Sequence, residues 1–155
     1  MKANILTIII LFVCGIASAQ KVKIKKGTVY IDKQEYLTID NEFGNETILT
    51  LDGAEILILK VYSFDKPNPA RNNTHNPNRY KYPATVKEYY YVISFLDFEL
   101  EYETDLSKKK LFLAFYKYNL LDELNRVNED NAKRIGQKIS KNISGERPII
   151  IYRTN

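Results

Sequence analysis

Hydrophobic and polar positions alternate most clearly over residues 89–103, YYYVISFLDFELEYE. The stretch begins apolar on both sides, and from Val92 its period is two. Val92, Leu96, Phe98, Leu100 and Tyr102 share one side, interrupted only by Ser94. Ile93, Phe95, Asp97, Glu99, Glu101 and Glu103 share the other. Such alternation is the signature of a strand with its apolar side inward, and aromatic and β-branched residues suit a half-buried pleated surface. The pattern predicts one central strand of a small sheet.

Upstream, KVKIKK at 21–26 alternates Lys21, Lys23 and Lys25 with Val22 and Ile24, which predicts a short strand turning at Lys26-Gly27. Residues 28–31 and 35–39 predict a hairpin around Asp32-Lys33-Gln34. Residues 47–51 and 55–64 flank Asp52-Gly53, and a DG pair between apolar runs favours a type I′ turn. Downstream, Asp105 or Ser107 caps a helix running to about Tyr118, with Leu111, Phe115 and Tyr118 on one stripe and Asn119 as a left-handed terminator. Asn128 caps a second helix, with Glu129 and Asp130 in the first turn where the dipole favours acids. Its buried stripe is Ala132, Ile135, Gly136, Ile139 and Ile143, with Lys138 and Lys141 at the favourable end. PIIIY at 148–152 predicts a closing strand.

Strands followed by helices predict an α+β fold: a mostly antiparallel sheet of about six to seven strands, two helices packed on one face, and a C-terminal strand. No fixed-period repeat is present, which argues against a solenoid or propeller.

Between 65 and 85 the texture changes to DKPNPARNNTHNPNRYKYPAT. Pro67, Pro69, Pro77 and Pro83 oppose continuous helix or sheet, and five asparagines favour turns. A loop this long is ordinarily either functional or disordered. It carries Lys66, Arg71, Arg79 and Lys81 against Asp65 alone, together with His75, Tyr80 and Tyr82. Arg71, His75, Arg79, Tyr80 and Tyr82 are therefore the candidate binding residues. The plainer reading is an insertion that holds no ligand.

The N-terminal twenty residues, MKANILTIIILFVCGIASAQ, combine Lys2, a short apolar run and Ala17-Ser18-Ala19. These features read as a secretory signal peptide over 1–19, cleaved before Gln20. A lipid anchor would have to use Cys14, but Leu11-Phe12-Val13 are bulky for that purpose. The apolar run is short for a bilayer span, and no later stretch resembles one. Residues 20–155 then form one exported domain, periplasmic or secreted, of ordinary single-domain length. Cys14 is the only cysteine, so cleavage leaves no disulfide, thiol nucleophile or cysteine–zinc site.

The net charge of +4 is ordinary for solubility and is not the concentrated basic face of a nucleic-acid binder. The leader ending in ASAQ, followed by KVKIKKGTVYIDKQEYLTID, resembles small exported proteins of Bacteroidota-type bacteria. That resemblance implies export and one compact domain, and it assigns no residue a role.

Asp97, Glu99, Glu101 and Glu103 form the sharpest chemical constellation. Carboxylates on one strand side could hold calcium at about 2.4 Å, or supply a glycosidase pair at about 7 Å. The alternative is a solvated face, neutralised by Lys21, Lys23 and Lys25 at the same spacing on a paired strand. Ser107-Lys108-Lys109-Lys110 matches the S-x-x-K of penicillin-recognising enzymes, but the companion motifs are missing and a helix cap explains it better. His75 is the only histidine, too few for a multi-histidine zinc site and without a nucleophile elbow nearby. The twelve tyrosines suit packing with wet hydroxyls as well as sugar stacking. No glycine-rich phosphate loop occurs, and neither cofactor nor metal is expected.

These features point to a non-enzymatic exported protein that binds an envelope or extracellular protein or glycan through residues 65–85. The alternatives are a small glycan-acting hydrolase using carboxylates of 97–103, or a hydrolase inhibitor whose loop plugs an active site.

Overall fold

The computed structural model describes residues 20–42 and 45–145. The proposed leader and the apolar run 148–152 lie outside them. Among the described residues, seven strands form one antiparallel sheet: β1 (Val22–Lys25), β2 (Thr28–Ile31), β3 (Gln34–Glu42), β4 (Asn45–Leu49), β5 (Glu55–Pro67), β6 (Thr85–Phe95) and β7 (Glu101–Thr104). Their order in space is their order in sequence. Three helices accompany the sheet: α1 (Pro69–Asn72), α2 (Lys108–Lys117) and α3 (Glu129–Ile139). The fold is α+β and mostly sheet.

Turn chemistry shapes the first hairpins. Lys26 (φ 50°) and Gly27 (φ 80°) both sit in left-handed backbone between Lys25 and Thr28, as do Asp32 (φ 50°) and Lys33 (φ 75°) between Ile31 and Gln34. Two positive φ values in a two-residue loop are what type I′ requires. Asp32 offsets its strained backbone by accepting the Lys21 N–H at 2.8 Å. The Asp52-Gly53 connection is different. Only Gly53 has positive φ, at 89°, while the Gly53 N–H reaches Thr50 O and the Thr50 N–H reaches Ala54 O. This is a type I turn followed by a glycine bulge, not the expected type I′ turn.

The expected central strand over 89–103 is two strands. β6 stops at Phe95, residues 96–100 bend, and β7 returns with Ile93 opposite Tyr102 and Ser94 opposite Glu101. The bend is closed by Phe95 N–H to Leu100 O at 3.1 Å. LDFELE contains no glycine, proline or asparagine, so its alternation runs on through the turn without a marker. The return also reverses parity. Ile93 and Phe95, expected to face out, are buried beside Tyr102, whereas Val92 shares the other face with Glu103. Because β1 and β7 are opposite edges of the sheet, Lys21, Lys23 and Lys25 are not strand partners of the carboxylates.

The core joins Val29, Ile31, Leu37, Ile48, Leu57, Leu59 and Ile93 of the sheet to Leu111, Phe112 and Phe115 of α2. Ala132 and Ile135 of α3 complete it. Ser107 starts α2 through its carbonyl alone, and Asn119 (φ 51°) ends it. Asn128 caps α3 by accepting the Asn131 N–H at 3.0 Å. α3 ends at Ile139, so Lys141 and Ile143 fall beyond it rather than on its stripe. Gly136 lies against the Tyr102 ring, where an added Cβ would sit 3.1 Å away. Burial holds the Tyr36 and Tyr102 phenols far above the ordinary tyrosine range.

Asp122 organises the connection between α2 and α3. Its carboxylate accepts the Arg126 and Leu124 backbone N–H groups at 2.9 and 2.8 Å and pairs with the Arg126 side chain. The Arg126 N–H, first among these, holds its carboxyl below the usual aspartate range. A depressed folded-state pKa stabilises the fold above the unfolded value, and the contribution disappears as pH falls through the folded one. The expected result is a Asp122 carboxyl carbon whose NMR titration midpoint lies below that of an unstructured peptide, with Asp122→Asn flattening the acid limb of the stability curve. An ordinary midpoint would show that the turn does not order Asp122.

Candidate functional site

Strand lengths in the sheet do not match, and the mismatch builds the site. β4 pairs β5 only as far as Leu59, and β7 pairs β6 only as far as Tyr91. β5 and β6 nonetheless continue together through six further pairs, from Tyr62–Tyr90 to Pro67–Thr85. At about 3.4 Å per residue the paired arm runs about 20 Å past the last described pairs with β4 and β7, and Asp105, Lys141, Asn142 and Ile143 line a pocket along its side. An isolated hairpin is marginal in water. Here Tyr62 stacks on Tyr90 at 5.4 Å, Phe64 meets Tyr90 edge-on at 6.2 Å, and Lys66 pairs with Glu88 at 3.1 Å. Val61, Tyr62 and Tyr89 stay substantially exposed along the arm.

The expected loop 65–85 is shorter and more ordered than its composition suggests. Pro67 closes β5 and Thr85 opens β6, leaving residues 68–84 as the tip. The Asn68 N–H bonds Ala84 O at 2.9 Å and closes its base. Pro69 does not break a helix; it occupies the first position of α1, where its missing N–H costs nothing. Asn68, Asn73 and Asn76 each accept a backbone N–H two residues ahead, from Ala70, His75 and Asn78. These asparagine turns lead into a short 3₁₀ turn over Arg79–Lys81.

Four of the five candidate residues come together here. Arg71 donates from Nη1 to Tyr80 O at 2.8 Å and to Tyr82 O at 3.4 Å. Its guanidinium lies 4.9 Å from the Tyr80 ring centroid, and that of Arg79 lies 4.7 Å away. Tyr80, two-thirds exposed, is thus a knob flanked by two cations, with Tyr82 exposed beside it. His75 stands apart, exposed, with its backbone held by Asn73. Residues 68–84 contain no aspartate or glutamate, and among the described residues neither arginine forms an ion pair.

Arg71 positions the tip, and Arg71→Ala is expected to raise amide exchange at 79–82 by roughly tenfold, the scale of losing one charge-assisted hydrogen bond. Arg71→Lys should rescue little, since a compact ammonium does not lay a planar group over the Tyr80 ring while donating to the same carbonyls. Unchanged exchange in Arg71→Ala would show that the asparagine turns suffice alone.

The acidic constellation does not form one strand face. Asp97 and Glu99 are exposed in the β6–β7 bend, Glu101 accepts the Ser94 hydroxyl, and Glu103 accepts the Ser144 N–H at 2.7 Å. Among the described residues no group of three His, Cys, Asp or Glu is placed to hold a metal ion. No described helix is long and apolar enough to cross a membrane. Sequence reasoning put its candidate binding residues in what is the tip and did not foresee the arm beneath it. The signal was available in the excess length of the apolar run after residue 55 over the run after 45. No protein-family model, curated protein or solved structure matches the chain.

Proposed function

We propose that this is a non-enzymatic exported protein, periplasmic or secreted after removal of residues 1–19, which binds an envelope or extracellular partner through the β5–β6 arm and its tip. In this reading α2 and α3 cover one face of the sheet as a rigid base, and the arm is the part that reaches. One observation carries it: the arm runs past both neighbouring strands and presents a stapled tip with Tyr80 and Tyr82 exposed beside arginines that form no ion pair among the described residues. Aromatic and arginine side chains held in place are the groups that dominate binding energy at protein surfaces. A hydrolase built on Asp97, Glu99 and Glu101 would need a carboxyl shielded from water, and all three are exposed.

The test is capture from the producing organism's envelope fraction. The full chain is compared with a version in which residues 69–83 are replaced by Asn-Gly, the turn suited to joining paired strands. A protein or glycan retained only by the intact tip is the expected result, and a captured hydrolase that loses activity would specify inhibition. Capture unaffected by shortening, or none with either form, overturns the reading.

A further inference from the structure

The bend between β6 and β7 forms an open cleft of about 560 Å³. Leu96, Phe98 and Leu100 give it apolar lining, and Asp97, Glu99 and Glu101 give it carboxylates. Phe98 is fixed by stacking on Phe95 at 5.1 Å, while Leu96 stays exposed. None of the three carboxylates takes part in an ion pair among the described residues. The cleft therefore has the opposite charge to the tip, and each surface carries exposed apolar atoms.

The two surfaces cannot meet within one molecule. β6 begins at Thr85 beside the tip and ends at Phe95 beside the cleft, and at about 3.4 Å per residue these ends stand about 34 Å apart. We propose that the tip of one copy seats in the cleft of a second copy. Tyr80 enters against the apolar lining, while Arg79 and Lys81 meet Asp97, Glu99 and Glu101. This rests on reading the arm as a binding surface and identifies its partner as the chain itself.

Charge complementarity favours this occupant. A two-fold contact of tip with tip would oppose cations to cations, and cleft with cleft would oppose carboxylates. A tip-to-cleft contact joins unlike surfaces, so it either closes reciprocally in a two-fold pair, each tip in the other copy's cleft, or leaves one tip and one cleft open and propagates head to tail. Exposed ion pairs are individually weak and are screened by salt. The association is correspondingly weak and salt-sensitive.

Sedimentation velocity on residues 20–155, the exported form of this reading, tests this. The expected result is a sedimentation coefficient that rises with protein concentration at low salt and falls back when salt is added. Arg79→Glu with Lys81→Glu abolishes the rise, as does Asp97→Lys with Glu99→Lys. All four reversals in one chain restore it while leaving net charge unchanged. Tyr80→Ala, which keeps every charge, weakens association roughly tenfold, the scale of a modest interface anchor. Circular dichroism of each variant matching the parent confirms that folding is intact. A parent that stays monomeric, an association indifferent to either reversal, or a fourfold variant that fails to recover overturns the inference. Should a monomeric chain still capture an envelope partner through its tip, self-association fails and the binding function stands.

Discussion

Truncating Phe112 to alanine is expected to lower the free energy of unfolding by about 3–5 kcal/mol. Phe112 has no exposed surface, and its ring meets that of Phe115 edge-on at 6.0 Å. It belongs to the face of α2 that joins Leu111 and Phe115 to the sheet residues of the core. Removing the ring forfeits its transfer from water and leaves a cavity that seven hydrogen-bonded strands cannot readily collapse to fill. A domain of this size has only about 5–15 kcal/mol of stability. The variant should therefore unfold at much lower urea with little change in the denaturant slope. A loss below about 1 kcal/mol, the level of a peripheral contact, would mean that α2 does not seal the core.

Gly27→Ala is the second large effect, expected at about 2–3 kcal/mol. Two costs combine. The backbone at Gly27 has φ 80°, which an L residue adopts only against steric resistance. The new Cβ would also lie 2.9 Å from Ile39 O, a backbone atom with little freedom to retreat. That approach cannot be relaxed separately, because the Ile39 N–H donates to Gly27 O at 2.7 Å and ties the β1–β2 turn to β3. Gly53→Ala is the natural control: its φ is also positive, but nothing lies within 4 Å of an added Cβ. Urea midpoints should place Gly27→Ala clearly below Gly53→Ala. Equal midpoints would assign the whole loss to backbone strain and none to the contact with Ile39.

Much of the fold was legible because its signals are local. The short strands at 22–25 and 28–31 alternate in a plain way, and Asn119 and Asn128 mark helix ends by chemistry that depends on neighbouring backbone. Two features escaped because they depend on something alternation does not record. The reversal after Phe95 lies inside a continuous pattern, and only the pairing of Ile93 with Tyr102 reveals that parity has changed. The Asp52-Gly53 connection has the residues of one turn and the hydrogen bonds of another. In the site, composition singled out Arg71, His75, Arg79, Tyr80 and Tyr82 as one candidate set, but it could not foresee that the bonds and ring contacts of the tip join four of them without His75. Proline and asparagine counts suggested an unstructured loop, whereas the positions of Asn68, Asn73 and Asn76 relative to the N–H groups they accept make it ordered.

The strictly sequential sheet order bears on how the chain reaches this state. Each strand meets a partner adjacent in sequence, so the entropy of closing long loops is largely avoided and contact formation can proceed like a zipper. The exception is the segment between Pro67 and Thr85, the longest connection between paired strands. Its closure follows once β5 and β6 have registered nearer the core, and loosening it leaves the earlier pairs intact. The tip is thus a late and separable cooperative unit. Its opening should appear as sub-global hydrogen exchange, well below the free energy that unfolds the sheet.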